Sequence, residues 1–201
     1  ILFAKLCRDM FYMAAKDPLS KPKPMCRRIV CWPVKFPEQQ IGAQNLSMNG
    51  TFTLQDLSAY ATGTGATLQS QSAAVGVTEF ARPEDGHWDT RNPKAFYWVT
   101  TGATLGGNAQ SARLYRLTFD SIANPTAGKI ELVVDSAALV GTDGQTARSF
   151  DNLTVDGDGN VIVQEDPGNT PYIAKTWKID PVAGTAVQIL ESDRTRFSFD
   201  A

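Results

Sequence analysis

The chain has 201 residues, 42% hydrophobic and 20% charged, a balance that supplies a buried core and excludes wholesale disorder. Its formal net charge of −2 provides no overall basic field for nucleic acid or an anionic membrane surface. No stretch reaches the roughly 18 uninterrupted apolar residues of a membrane span.

The charge is unevenly spread. Residues 1–40 hold 8 Lys/Arg against 3 Asp/Glu, whereas residues 41–201 hold 11 against 18, so cations are expected to bind in the second part. All three cysteines, Cys7, Cys26 and Cys31, lie in the first part. Their odd number excludes a complete intramolecular disulfide framework. The Cys26–Cys31 spacing and a single histidine, His87, do not make a structural zinc site.

In chain order, ILFAKLCRDMFYMAA is interrupted by Lys5, Arg8 and Asp9 and is followed by no small-residue cleavage site, so no signal peptide is expected in this chain. Residues 5–15 read as a short helix. KDPLSKPKPMCRRIVCWPVKFP (16–37) has five prolines and keeps neither a 2-residue nor a 3.6-residue period. Residues 1–40 are therefore read as a basic irregular extension or a non-native segment, and residues 41–201 as the folded domain.

From residue 51 short β-branched and aromatic runs alternate with Gly, Pro, Asn and Asp: VGVTEF (75–80), AFYWVTTG (95–102), ARLYRLTFD (112–120) and KIELVVDS (129–136). These read as strands and turns. The last three recur as NVIVQEDPG (160–168), IAKTWKIDP (173–181) and TAVQILES (185–192), and FARPEDGHWD (80–89) stands opposite SFDNLTVDGDGN (149–160). A four-strand unit repeated with short connections and no intervening helix predicts an all-β, β-propeller-like fold. Two to three four-stranded blades are expected, residues 50–80 supplying part of the third. Propellers close with four to eight blades, so this is a partial propeller, open to assembly with further copies.

The innermost strand of a blade lines the propeller axis. The two unit starts bring Glu84 and Asp85 from one blade and Asp151 and Asn152 from the next; QED adds Glu165 and Asp166. Such oxygen donors suit Ca²⁺. Adjacent carboxylates leave a strand toward opposite faces, so Glu84 and Asp85 converge only if the chain turns there; Pro83 and Gly86 predict that turn. DGDGN (156–160) lacks the EF-hand glycine, having Val161 in its place, and reads as an Asp-Gly hairpin. TTGATLGGNAQ lacks the end of a P-loop and reads as a loop. Phe96, Tyr97 and Trp98 read as blade core.

Taken together, FARPEDGHWD, YWVTTG, ARLYRLTFD and FDNLTVDGDGNVIVQEDPGN, over roughly residues 46–198, resemble the PhoX-type alkaline phosphatases and their bacterial relatives. The resemblance implies a β-propeller with axial calcium, in the phosphatases also iron, that hydrolyses phosphate esters in the periplasm or outside the cell. It makes Glu84, Asp85, Glu165 and Asp166 metal ligands or ligand supports, with Asp151 and Asn152 as further candidates. Arg82 is expected to hold a phosphate through a charge-assisted fork. The Asn-Cys and Cys-Glu-Glu-like segments that complete the family's iron centre are absent from this sequence, so a calcium site without iron is expected.

Three functions stay open. The first is a calcium-dependent phosphatase-like hydrolase acting on a small-molecule substrate. The second is a calcium-dependent esterase or lactonase, opening for example acyl-homoserine lactones, in which His87 beside Glu84 activates water. The third is a non-catalytic propeller fragment. None calls for nucleic acid or a membrane span.

Overall fold

In the computed structural model, the described residues are 30–31, 49–57, 59, 63–78, 80–105, 108–168 and 172–196. They form β1 (Val30–Cys31), β2 (Gly50–Thr53), β3 (Gln55–Asp56), α1 (Gly65–Ala74), β4 (Pro83–Trp88), β5 (Ala95–Thr100), β6 (Ala103–Leu105), β7 (Asn108–Gln110), β8 (Arg113–Phe119), β9 (Ala127–Asp135), β10 (Phe150–Val155), β11 (Val161–Glu165), β12 (Lys175–Asp180) and β13 (Thr185–Glu191). The two units read from the repeat are both sheets: one of five strands, ordered β2-β9-β8-β5-β4, and one of four, ordered β10-β11-β12-β13. The all-β, partial propeller-like architecture is therefore present. The strand after each unit start pairs back antiparallel, β4 with β5 and β10 with β11.

The chain divides into two compact units, Ile1–Glu79 with Leu117–Glu131, and Phe80–Arg116 with Leu132–Ala201. In the first, β2 pairs antiparallel with the start of β9, from Gly50 opposite Ile130 to Thr53 opposite Ala127. Residues 50–53 thus extend the first sheet, and no third four-stranded sheet forms among the described residues. Gly128 is required there, because a Cβ would lie 2.1 Å from the Thr118 carbonyl oxygen. Val30–Cys31, within the basic N-terminal part, pairs with Gln55–Asp56; the remainder of residues 1–40, including the helix expected over 5–15, lies outside the described residues.

The strand expected over 75–80 is not formed among the described residues 75–78 and 80. Val75 closes α1, Gly76 takes a left-handed φ of 72°, and the Gly76 and Val77 amides donate to the carbonyls of Ala73 and Ser72. This helix-ending pattern uses the backbone groups that a strand would need. The Gly-rich loop expected after Thr101 contains a small hairpin, with Ala103–Leu105 paired to Asn108–Gln110. The connection 156–160 is the expected hairpin: the Asp156 carboxylate accepts from the amides of Asp158 and Asn160, and Gly159 adopts φ 79°.

In the second unit β5 is buried at every position, as a central strand covered on both faces must be. Tyr97 and Val99 join Leu114, Phe150, Leu153, Val155, Val161, Val163, Trp177 and Ile179 in one core. Phe96 and Trp98, on the other face, meet an aromatic set: Trp98 stacks on Tyr115 at 4.7 Å, Phe80 packs edge-on against Trp98, and Trp88 against Phe96. The aromatic run is blade core, as its spacing predicts.

Candidate functional site

β4 and β10 are the edge strands of their sheets, and both begin in the same way. Arg82 and Ser149 are the non-glycine residues with left-handed φ among the described residues, at 59° and 51°. Such a backbone costs on the order of 1 kcal/mol and persists only where its surroundings enforce it. The enforcing bonds match: the Arg82 carbonyl accepts from the Thr101 amide at 2.9 Å, and the Ser149 carbonyl from the Asp166 amide at 2.8 Å.

A register shift follows in each strand. Pro83 opposes Thr100 but Gly86 opposes Trp98, and Phe150 opposes Glu165 but Asn152 opposes Gln164. Each edge strand thus carries one extra residue, a β-bulge, in the stretch that holds Glu84–Asp85 or Asp151. A bulge breaks the alternation of side chains and re-aims them. The turn expected at Pro83–Gly86 does not form, since β4 runs through Pro83–Trp88, and the bulge re-aims the side chains instead.

The bulges bring Glu84 and Asp151 together, close enough for their carboxyl groups to share a hydrogen bond when one is protonated. Burial, and next to it the neighbouring Asp151 charge, raise the Glu84 carboxyl above its ordinary value, against the lowering effects of a Thr101 hydrogen bond and Arg82. Glu84 Oε1 accepts from the Thr101 hydroxyl at 3.1 Å and from an Arg82 guanidinium nitrogen at 3.4 Å. With the Arg82 side chain 63% exposed, that ion pair contributes about 1 kcal/mol or less. Thr101 was not singled out by the sequence; a hydroxyl at the end of the strand paired with RPEDG was its signal.

The other expected site residues are placed differently. Asp85 Oδ2 accepts from the Leu153 amide at 3.2 Å and ties β4 to β10. Asn152 donates from its side chain to Asp151 Oδ2 at 3.1 Å. Asp166 Oδ1 accepts from the Gly168 amide in a turn. His87 Nδ1 lies 2.7 Å from the Trp88 carbonyl oxygen; a carbonyl only accepts, so Nδ1 is the donor, and the tautomer this contact selects has Nε2 as its acceptor.

Glu165 is 2% exposed and its carboxylate is filled by protein donors. Oε1 accepts from the Arg148 amide, the Tyr172 hydroxyl and the Trp177 indole at 3.0, 3.1 and 3.0 Å, and Oε2 from the Lys175 amide at 2.8 Å. Burial and the Glu165 charge push the Tyr172 phenol up, and the Lys175 ammonium and Arg148 guanidinium lie 3.9 and 4.1 Å from its ring centre. Among the described residues no three His, Cys, Asp or Glu side chains are grouped closely enough to hold a metal. The six expected ligands are therefore not gathered in one shell; Glu84 and Asp151 are brought together.

Two sheets, each with an edge strand that opens on a left-handed residue, a bulge and a carboxylate, define a partial, propeller-like all-β protein. Pseudomonas fluorescens PhoX in complex with vanadate, a transition-state analogue, is a solved structure similar to it, with a TM-score of 0.54 and 15% sequence identity, over 70% of this chain and 32% of that one. The likeness is one of fold, and this chain spans about a third of PhoX. No protein-family model matches the chain, and no curated protein is significantly similar to it in sequence. Among the described residues no helix is long and apolar enough to cross a membrane.

Proposed function

We propose that Glu84 and Asp151 form the cation-holding corner of a calcium-dependent hydrolase site that acts on phosphate esters. The observation that carries this reading is the half-buried pair of carboxylates, aimed at one another by a bulge in each edge strand of a PhoX-like fold. Two like charges held together in a partly desolvated place oppose ionisation, and a cation is what relieves them.

The donors fit calcium in part. Two carboxylates offer up to about four oxygens of the 6–8 that calcium takes, and it accepts water and irregular geometry for the rest. When bound, calcium supplies charge neutralisation and polarisation of a phosphoryl oxygen. The chain's own residues do the remainder. Arg82, largely exposed beside Glu84, offers its fork of donors to a phosphate. Asp85 locks the two edge strands through the Leu153 amide, and Asn152 orients Asp151. Glu165 and Asp166 enter this reading as supports, Glu165 from within the second sheet and Asp166 through its amide on Ser149.

His87 favours a second reading, lactone or ester hydrolysis, because its protonated Nδ1 leaves Nε2 to act as a base toward water. One experiment separates the two. The purified chain is given a chromogenic phosphate ester and, separately, an acyl-homoserine lactone, each with calcium and with chelator. Phosphate ester turnover that chelator and Glu84→Gln both abolish supports the phosphatase reading. Lactone turnover with the same dependence replaces it with the second. Turnover of neither, together with a melting temperature that calcium leaves unchanged, overturns both.

A further inference from the structure

We infer that Thr101 is a positioning residue for Glu84, clamping the RPE bulge so that its carboxylate faces Asp151. The inference rests on the proposed role of Glu84. Thr101 makes two contacts with the same short segment: its amide donates to the Arg82 carbonyl at 2.9 Å, and its hydroxyl donates to Glu84 Oε1 at 3.1 Å. The Gly102 amide adds a third bond, to the Ala81 carbonyl at 3.0 Å. One end of the bulge is thus held by backbone and the side chain beyond it by a hydroxyl.

The backbone part recurs in the second sheet, where the Asp166 amide holds the Ser149 carbonyl at 2.8 Å. The hydroxyl part does not, since Asp166 turns its carboxylate to the Gly168 amide. Holding the left-handed residue is therefore common to both strand starts, whereas a hydroxyl from the paired strand's end serves Glu84, and Asp151 takes the side-chain amide of Asn152 instead. A glutamate needs this more than an aspartate. It has one more rotatable bond than Asp151, and a flexible ligand loses more entropy when a cation fixes it.

Valine in place of Thr101 keeps the branched shape and the amide but removes the hydroxyl; serine restores it. Calcium binding is measured by calorimetry for wild type, Thr101→Val and Thr101→Ser, and a double-mutant cycle of Thr101→Val with Glu84→Gln is measured by urea unfolding in chelator. Loss of an orienting partner weakens metal binding by about 10- to 100-fold. The expected result is a loss of that size for Thr101→Val, recovery in Thr101→Ser to within a few-fold of wild type, and non-additive unfolding midpoints in the cycle. Equal calcium affinity in wild type and Thr101→Val, or a Thr101→Ser variant as weak as Thr101→Val, overturns the positioning role. Absence of calcium binding in wild type, with the cycle still non-additive, overturns instead the calcium reading of the site and leaves the Thr101–Glu84 clamp standing.

Discussion

Replacing Glu165 by Gln tests whether this carboxylate is the anchor of the second sheet. The amide oxygen can take over the Oε1 position, with its donors from Arg148, Tyr172 and Trp177, but the NH₂ group then confronts the Lys175 amide, 2.8 Å from Oε2. A bond to a charged acceptor, worth about 1.5–3 kcal/mol, becomes a contact between two donors. The three remaining bonds fall to neutral strength, each losing roughly half of its worth. Because the group is 2% exposed, water cannot compensate. The sum is a destabilisation of about 3–5 kcal/mol, a large part of the stability of an ordinary domain. For a chain of this size it lowers the thermal midpoint by about 6–20 °C. Differential scanning calorimetry in chelator and in calcium measures it. A midpoint within about 1 °C of wild type refutes the anchor; a loss seen only in calcium makes Glu165 a ligand.

The like-charged pair predicts a gain. Burial first, and then Asp151, raise the Glu84 carboxyl, so its ionisation costs folding stability as pH rises through and beyond its ordinary value of 4.5. In chelator at neutral pH, Glu84→Gln should raise the thermal midpoint by about 1–3 °C, the size of an opposed charge pair, and a lower midpoint would contradict the repulsion. Asp143 behaves oppositely. Its desolvation is outweighed by the Gln145 amide and by Lys175 and Arg194, which bring it from 3.8 to about 2. Its stabilisation is therefore present above 3.8 and lost as pH falls through about 2, so Asp143→Asn should flatten the urea midpoint between pH 4 and 2 relative to wild type. Gly128→Ala, whose Cβ would sit 2.1 Å from the Thr118 oxygen and 2.9 Å from the Phe52 ring, should cost about 1–3 kcal/mol by overpacking, read from urea unfolding; an unchanged midpoint would contradict that close approach.

What could be read from the sequence was what repeats. Alternation in β10, β11 and β12 and the apolar run Ala95–Val99 of β5 mark strands because each faces a core on one side or both. The RPEDG start was legible because Pro83 and Gly86 announce an interrupted strand, and the SFDN start through its matching place in the repeat. Less legible was the division of labour among carboxylates. Glu84 of RPED and Glu165 of QED look alike in sequence, and only the donors converging on Glu165 from β12, Arg148 and Tyr172 separate a structural acceptor from a half-buried one beside a like charge. VGVTEF was misread for a related reason: two valines in a short apolar run fit a strand until Gly76 and the end of α1 claim their backbone groups.

The repeat also explains why the two carboxylates differ. Thr100 and Glu165 occupy one position in the two sheets, opposite Pro83 and Phe150. Both are buried, and both accept a hydrogen bond from the first residue of the next strand: the Arg113 amide donates to the Thr100 hydroxyl at 3.2 Å, the Lys175 amide to Glu165 at 2.8 Å. That place in the unit needs an acceptor for an amide no ladder satisfies. A hydroxyl suffices in the first sheet. In the second, an indole, a phenol and a further amide converge on the same point, and only a carboxylate can receive four donors. The charge of Glu165 is thus called for by its own sheet, whereas nothing in either sheet requires the charge of Glu84 or its approach to Asp151. A carboxylate pair that folding does not need, set on two enforced left-handed residues and two bulges, is the feature left for function to explain.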